Sequence, residues 1–260
     1  MKYSSTKRSY NRIHLLEEVK FNVKTIGLIG GLSYESTLLY YEHINKLTNR
    51  LLGKTHSAKL ILNSLDNEEV LDLFNRNEFD KARSILIDAA LLLQNAGADC
   101  ILMCCNSVHK LAKEIQQSIQ TPLIHISDAV VEKMQGNGLR RIGLIGTNFT
   151  MSDSFYKHRL EEHSIEVMLP EQEERNFLHR VIFSELVVGT INPDSKKVIK
   201  QIIKDMVDKG AQGIILGCTE LPMMIELQDV RVPVFDAVKL HAEKAVEFAL
   251  SRIECLNPVF

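Results

Sequence analysis

The sequence predicts an α/β protein built from two pseudo-symmetric lobes, each a parallel sheet flanked by helices, and three repeated phrases carry that prediction. KTIGLIGG at 24–31 returns almost unchanged as RRIGLIGT at 140–147. GADCILMCCN at 97–106 returns as GAQGIILGCT at 210–219, an offset of 113 residues. More loosely, TPLIHISDA around Pro122 matches VPVFDA around Pro233 at an offset of 111. Three matches in the same order, at nearly one offset, indicate a chain written twice.

Each repeated phrase is a short continuous apolar run ending in small residues. Such runs suit parallel strands buried on both faces, where alternation of polar and apolar residues is absent. Helical periodicity fills the gaps. A helix is predicted from Glu35 to Leu52, another from Phe79 to Asn95 stopping at Gly97, and a third from Ser195 to Lys209 stopping at Gly210. Asp194 or Pro193 would start the third, since aspartate caps well and proline suits a first turn. Strands alternating with helices imply Rossmann-like lobes with the active site in the cleft between them. The expected division is 24–128 plus 236–260 for the first lobe and 129–235 for the second. The helix beginning at Asp236 would pack back on the first lobe, and residues 1–23 form an extension outside the repeat.

Composition narrows the function. A formal net charge of −2 gives no electrostatic reason to bind nucleic acid or an anionic membrane. No apolar run reaches the roughly 20 residues that a membrane-spanning helix needs. The first 23 residues carry basic groups without an apolar core, so no secretory signal is expected. A soluble cytoplasmic protein with a small-molecule partner follows. The 5 cysteines are odd in number and irregularly spaced, unlike a disulfide framework, and read as free thiols.

Two of those cysteines repeat. Cys105 and Cys218 share the 113-residue offset and both fall at the carboxyl end of a predicted strand, where parallel sheets bind ligands. Facing lobes would set one thiol on each side of a small ligand. A stereochemical inversion needs that arrangement: one thiolate removes a proton from carbon while the opposite thiol delivers one to the other face. Asn106, Ser107 and Thr219 follow the cysteines, and their donors would hold a substrate carboxylate at helix starts. His109, four residues after Cys105, would tune that thiol or simply pack; Glu220 would be a helix-start carboxylate or take part in catalysis. Cys100 and Cys255 read as buried structural thiols. Cys104, Cys105 and His109 lack the spacing of a zinc site, so no metal is expected. The glycines of GLIGGLS complete neither nucleotide-binding pattern.

These phrases resemble the aspartate/glutamate racemase family, specifically its branch of broad amino-acid specificity. The resemblance rests on IGLIGGLSYEST with the following YYEHIN, on CCNSVHK, on LIGTNFTM and on GCTELP, spread from about residue 25 to 240. It implies racemisation of amino acids by two cysteine bases with no cofactor, in a cleft between two α/β lobes, often in a homodimer. Carried over by position, Cys105 and Cys218 are the bases, and Asn106, Ser107 and Thr219 lie near the substrate carboxylate. Thr147, Thr150 and Met151 would line the facing loop and Ser33 the first loop. Many members have threonine where this chain has Ser107, a change that keeps the hydroxyl. Sister reactions on such a scaffold (hydantoin racemisation, maleate isomerisation, malonate decarboxylation) and a non-catalytic binding module stay open as alternatives. Aspartate and glutamate would need a cation for the distal carboxylate, and the segment 61–66, ILNSLD, supplies no arginine.

Overall fold

The computed structural model describes residues 23–152, 154–225 and 230–251; the expected extension at 1–23, all but its last residue, and Cys255 lie outside them. Strands β1 (Ile26–Gly30), β2 (Leu60–Ser64) and β3 (Cys100–Met103) form one sheet in the order β2-β1-β3. Strands β4 (Arg141–Gly146), β5 (Glu166–Met168), β6 (Ile214–Gly217) and β7 (Val234–Asp236) form a second, in the order β5-β4-β6-β7. Every pairing is parallel. The two sheets repeat one topology, and even the loosest sequence match has a structural meaning. Pro233 precedes β7, and at the equivalent place Leu123 makes an isolated parallel bridge to Ile101. The Pro122 phrase is therefore the reduced fourth strand of the first sheet.

Helices α1 (Tyr34–Leu52), α2 (Asn67–Asn75), α3 (Phe79–Asn95) and α4 (Ala112–Ser118) connect the first strands. The second half carries α5 (Ile126–Gln135), α6 (Asn148–Ser152), α7 (Ser154–Glu161), α8 (Gln172–Ser184) and α9 (Pro193–Asp208), and the described chain closes with α10 (Ala237–Leu250). Of the two starts expected for α9, Pro193 is the one found. Asn192 accepts the hydrogen bond from the Asp194 backbone N–H, which leaves Pro193 in the first turn, where its missing N–H costs nothing. Among the described residues, no helix is long and apolar enough to cross a membrane.

Strand alternation sorts the core. Ile26, Leu28, Cys100, Leu102 and Cys104 face one side of the first sheet, against Tyr40 and Ile44 of α1 and Val238, Ala242 and Val246 of α10. Ile29, Ile101 and Met103 face the other side, against Leu86 and Leu93 of α3 and Ile115 of α4. Each of these wholly buried aliphatic side chains contributes about 1.5–3 kcal/mol of transfer free energy. The second sheet has its own cluster, and α5 joins it through Ile126, Val130, Val131 and Met134. The expected division between 128 and 129 thus falls inside α5. That helix meets the second core through those four residues and packs as well against α10.

Candidate active site

The carboxyl ends of β1, β3, β4 and β6 converge on one cavity of about 270 Å³ between the lobes. Ser33, Cys105, Asn106 and Ser107 reach it from the first lobe; Thr147, Thr150, Cys218, Thr219 and Glu220 reach it from the second. The sharp turn after β1 needs Gly31. Its φ is +82°, and a Cβ there would stand 2.0 Å from the Leu65 carbonyl oxygen. That turn delivers Ser33, whose Oγ accepts from the Ser36 N–H and so caps α1.

Strand parity explains which of the adjacent cysteines matters. Cys104 sits in the core beneath α10, where burial drives its thiol pKa far up, whereas Cys105 turns to the opposite side and lines the cavity. Cys100 is likewise a core thiol, pushed up by burial to about 12. Burial also raises Cys105, but hydrogen bonds from Ser107 and Val108 oppose it. Cys218 is raised well above the ordinary range, first by burial and then by the negative charge of Glu220. Burial thus holds both site thiols above the ordinary thiol range, Cys218 the more strongly.

Glu220 organises the second lobe's half of the site. It is 5% exposed, accepts from Cys218 Sγ at 2.7 Å and from Thr219 Oγ1 at 2.5 Å through Oε2, and accepts from Ser33 Oγ at 3.3 Å through Oε1. The first lobe offers a different feature. Asn106 is 5% exposed, lines the cavity, and neither its Oδ1 nor its Nδ2 has a hydrogen-bond partner. Buried amide atoms rarely go unpaired, and an unmet pair facing a cavity suits a ligand with donors and acceptors of its own.

One expectation needs correction. Met151 is 3% exposed in the core of the second lobe and is not on the cavity wall. Its N–H bonds to the Thr147 carbonyl inside the helical turn, so the side chain follows helical periodicity inward while Phe149 takes the cavity side. Of the two readings of His109, tuning the thiol or packing, the structure shows packing. The His109 Nδ1 donates to the Cys105 carbonyl at 2.8 Å, which pins the backbone of the 3-10 turn Ser107–Leu111. Its ring instead packs edge-on against His125 at 4.8 Å and His241 at 5.4 Å.

The opposite wall was not anticipated from the sequence. Beyond Asn67 and Glu68 at the start of α2 it is apolar, and it comes from α2, α6 and α8 rather than from the segment 61–66. Phe74 of α2 meets Phe149 of α6 edge-to-face across the lobes, centroids 6.3 Å apart.

Set against known proteins, residues 29–245 match the sequence profile described as Asp/Glu/Hydantoin racemase. The chain belongs to that family. Within the racemase family, a solved structure from Yersinia pestis named for the Asp/Glu racemases is 42% identical, covers 88% of this chain and 100% of its own, and superposes with a TM-score of 0.84. The structure of an aspartate racemase homologue from Pyrococcus horikoshii OT3 is 38% identical over the same shares, with a TM-score of 0.79. The broad specificity amino-acid racemase RacX of Bacillus subtilis is 21% identical over 232 residues, 87% of this chain and 98% of the relative.

Proposed function

We propose that this racemase-family protein inverts the α-carbon of free amino acids with Cys105 and Cys218 as opposed acid and base and no bound cofactor. The observation that carries the reading is the pair of thiols, one from each lobe, on the wall of a single cavity. In one direction Glu220 takes the Cys218 proton along the hydrogen bond already present, and the resulting thiolate removes the α-proton. Cys105 then gives its thiol proton to the other face of the carbon. The reverse direction begins from a Cys105 thiolate held by Ser107 and the Val108 N–H. The thiols exchange roles, and each turnover breaks and makes one C–H bond; after product leaves, Glu220 releases its proton to water and the Cys105 thiolate takes one up, which restores the starting state.

The carbanion is the difficult species, and its charge spreads into the substrate carboxylate. Asn106 and Ser107, with Thr147, Thr150 and Thr219, are the donors we place around that carboxylate, where fixed dipoles stabilise the growing charge without reorganising. Before it takes that proton, Glu220 offers a counter-charge to the α-ammonium. That cation in turn would lower both thiol pKa values and so prepare the base only when substrate is present.

The cysteines among the described residues are all free, in keeping with thiol chemistry in a reducing, cytoplasmic setting. A homodimer is part of the reading. Tyr34, Leu38 and Tyr41 present one exposed apolar face of α1 beside the exposed Leu62 of β2, an edge strand.

The decisive experiment follows the α-proton signal of L-amino acids in D2O by NMR, with reduced protein and no pyridoxal phosphate. Loss of signal with appearance of the D-isomer is expected, and Cys105→Ala or Cys218→Ala abolishes the appearance of D-isomer in a folded protein. Undiminished racemisation by either variant would falsify the two-base assignment.

A further inference from the structure

Resting on the racemase reading, we infer that the cavity accepts amino acids with uncharged, apolar side chains and rejects aspartate and glutamate. The cavity is divided. Its polar side is made by the strand ends that hold the two thiols, Asn106 and Glu220, which suits the invariant part of an amino acid. The remaining space is enclosed by Val70, Leu71 and Phe74 from α2, Phe149 from α6, Phe183 from α8 and Val187 just beyond it.

Charge completes the case. Among the described residues that line the cavity, none is lysine or arginine, and the two ionisable carboxylates are Glu68 and Glu220. A substrate with a second carboxylate would leave water for a wall with no cation and with like charge nearby, and an unpaired buried charge is among the most unfavourable groups a protein can hold. A methyl, thioether or phenyl group loses nothing there and gains contact with the wall. A cationic side chain fares differently, but its only unengaged counter-charge would be Glu68. That residue is exposed at the start of α2, where water screens the pairing, while Glu220 is already given to the substrate's own α-ammonium.

The test compares kcat/KM for racemisation of methionine, leucine, phenylalanine, lysine, aspartate and glutamate by the full chain, read by chiral chromatography. The best neutral substrate should exceed aspartate, glutamate and lysine by about 100-fold. A margin under tenfold, or a preference for either charged class, overturns the inference while leaving the racemase reading intact. No turnover of any amino acid overturns both. As a second measurement, Leu71→Arg should raise the glutamate-to-methionine ratio of kcat/KM at least tenfold. An unchanged ratio in the folded variant would remove α2 from the side-chain wall and overturn the placement.

Discussion

Ser33 and Glu220, 187 residues apart in sequence, meet across the cleft: Ser33 Oγ donates to Glu220 Oε1 at 3.3 Å. The same hydroxyl oxygen caps α1. One side chain thereby ties the first lobe's leading helix to the carboxyl group that holds Cys218, so lobe spacing and thiol position are set together. Ser33→Ala should cost about 1 kcal/mol of stability through the lost cap. It should also reduce kcat/KM about 2- to 10-fold through the lost cross-cleft bond. Ser33→Thr, which keeps the hydroxyl, should restore most of both. Denaturant titration and racemisation kinetics separate the two effects.

Thiol reactivity should be low and unequal. Burial holds both site cysteines above the ordinary range, so alkylation by iodoacetamide should be slow at pH 7 and accelerate as pH rises past the usual thiol value. Cys105, eased by hydrogen bonds from Ser107 and Val108, should react before Cys218. In Glu220→Gln the negative charge is gone, the Cys218 pKa should fall, and its alkylation should quicken while racemisation drops by about 100-fold or more. Peptide mass mapping over a pH series reads all three, and slower Cys218 alkylation in that variant would contradict the electrostatic role given to Glu220.

Acid should weaken the fold through the three packed histidines. Burial, reinforced by its two histidine neighbours, holds His109 well below its ordinary value; burial and Arg159 bring His125 to about 4; burial brings His241 to about 3. Between the ordinary histidine value near 6.5 and these depressed ones, the unfolded chain binds protons that the folded chain refuses. Stability therefore falls as pH drops through that window, by up to about 1.4 kcal/mol per pH unit for each fully buried ring. His241 accepts from Tyr40 Oη and donates to the Ile124 carbonyl, two bonds that a glutamine can imitate without titrating. Urea midpoints at pH 7 and pH 5 should differ less in His241→Gln than in the parent protein, and equal slopes would clear this ring of the effect.

The apolar face of α1 should self-associate. Leu38 is 59% exposed between Tyr34 and Tyr41, so Leu38→Lys should change neither the core nor the cavity. Light scattering should report a dimer for the parent protein and a shift toward monomer for the variant. A parent protein that stays monomeric at high concentration rules this face out as the contact.

Much of this architecture was legible because it is written in strand ends, where parallel sheets concentrate both apolar runs and function. Cys105 and Cys218 could be paired by offset alone, and the Pro122 and Pro233 phrases turned out to mark equivalent fourth-strand positions. The apolar wall was not legible. Phe74 and Phe149 lie on helices, where an apolar residue at helical spacing looks like any core residue until the lobes are set face to face. Met151 failed for the same reason in reverse: one place along a short helix turns a side chain from cavity to core. The histidine cluster draws on positions 109, 125 and 241, and nothing local links them.

The placement of α10 makes the order of synthesis differ from the order of completion. The first sheet is made early, yet one of its faces is covered by Val238, Ala242 and Val246, and Lys24 N–H bonds to the carbonyl of Ala249. A nascent chain emerging from the ribosome must carry Ile26, Leu28 and Leu102 partly bare until α10 leaves the exit tunnel. The last strand of the second sheet, β7, precedes α10 in the chain, so the second lobe can complete its sheet before the first sheet is covered. The first sheet is finished by α10, and truncation ahead of residue 237 would strand it with an open, adhesive surface.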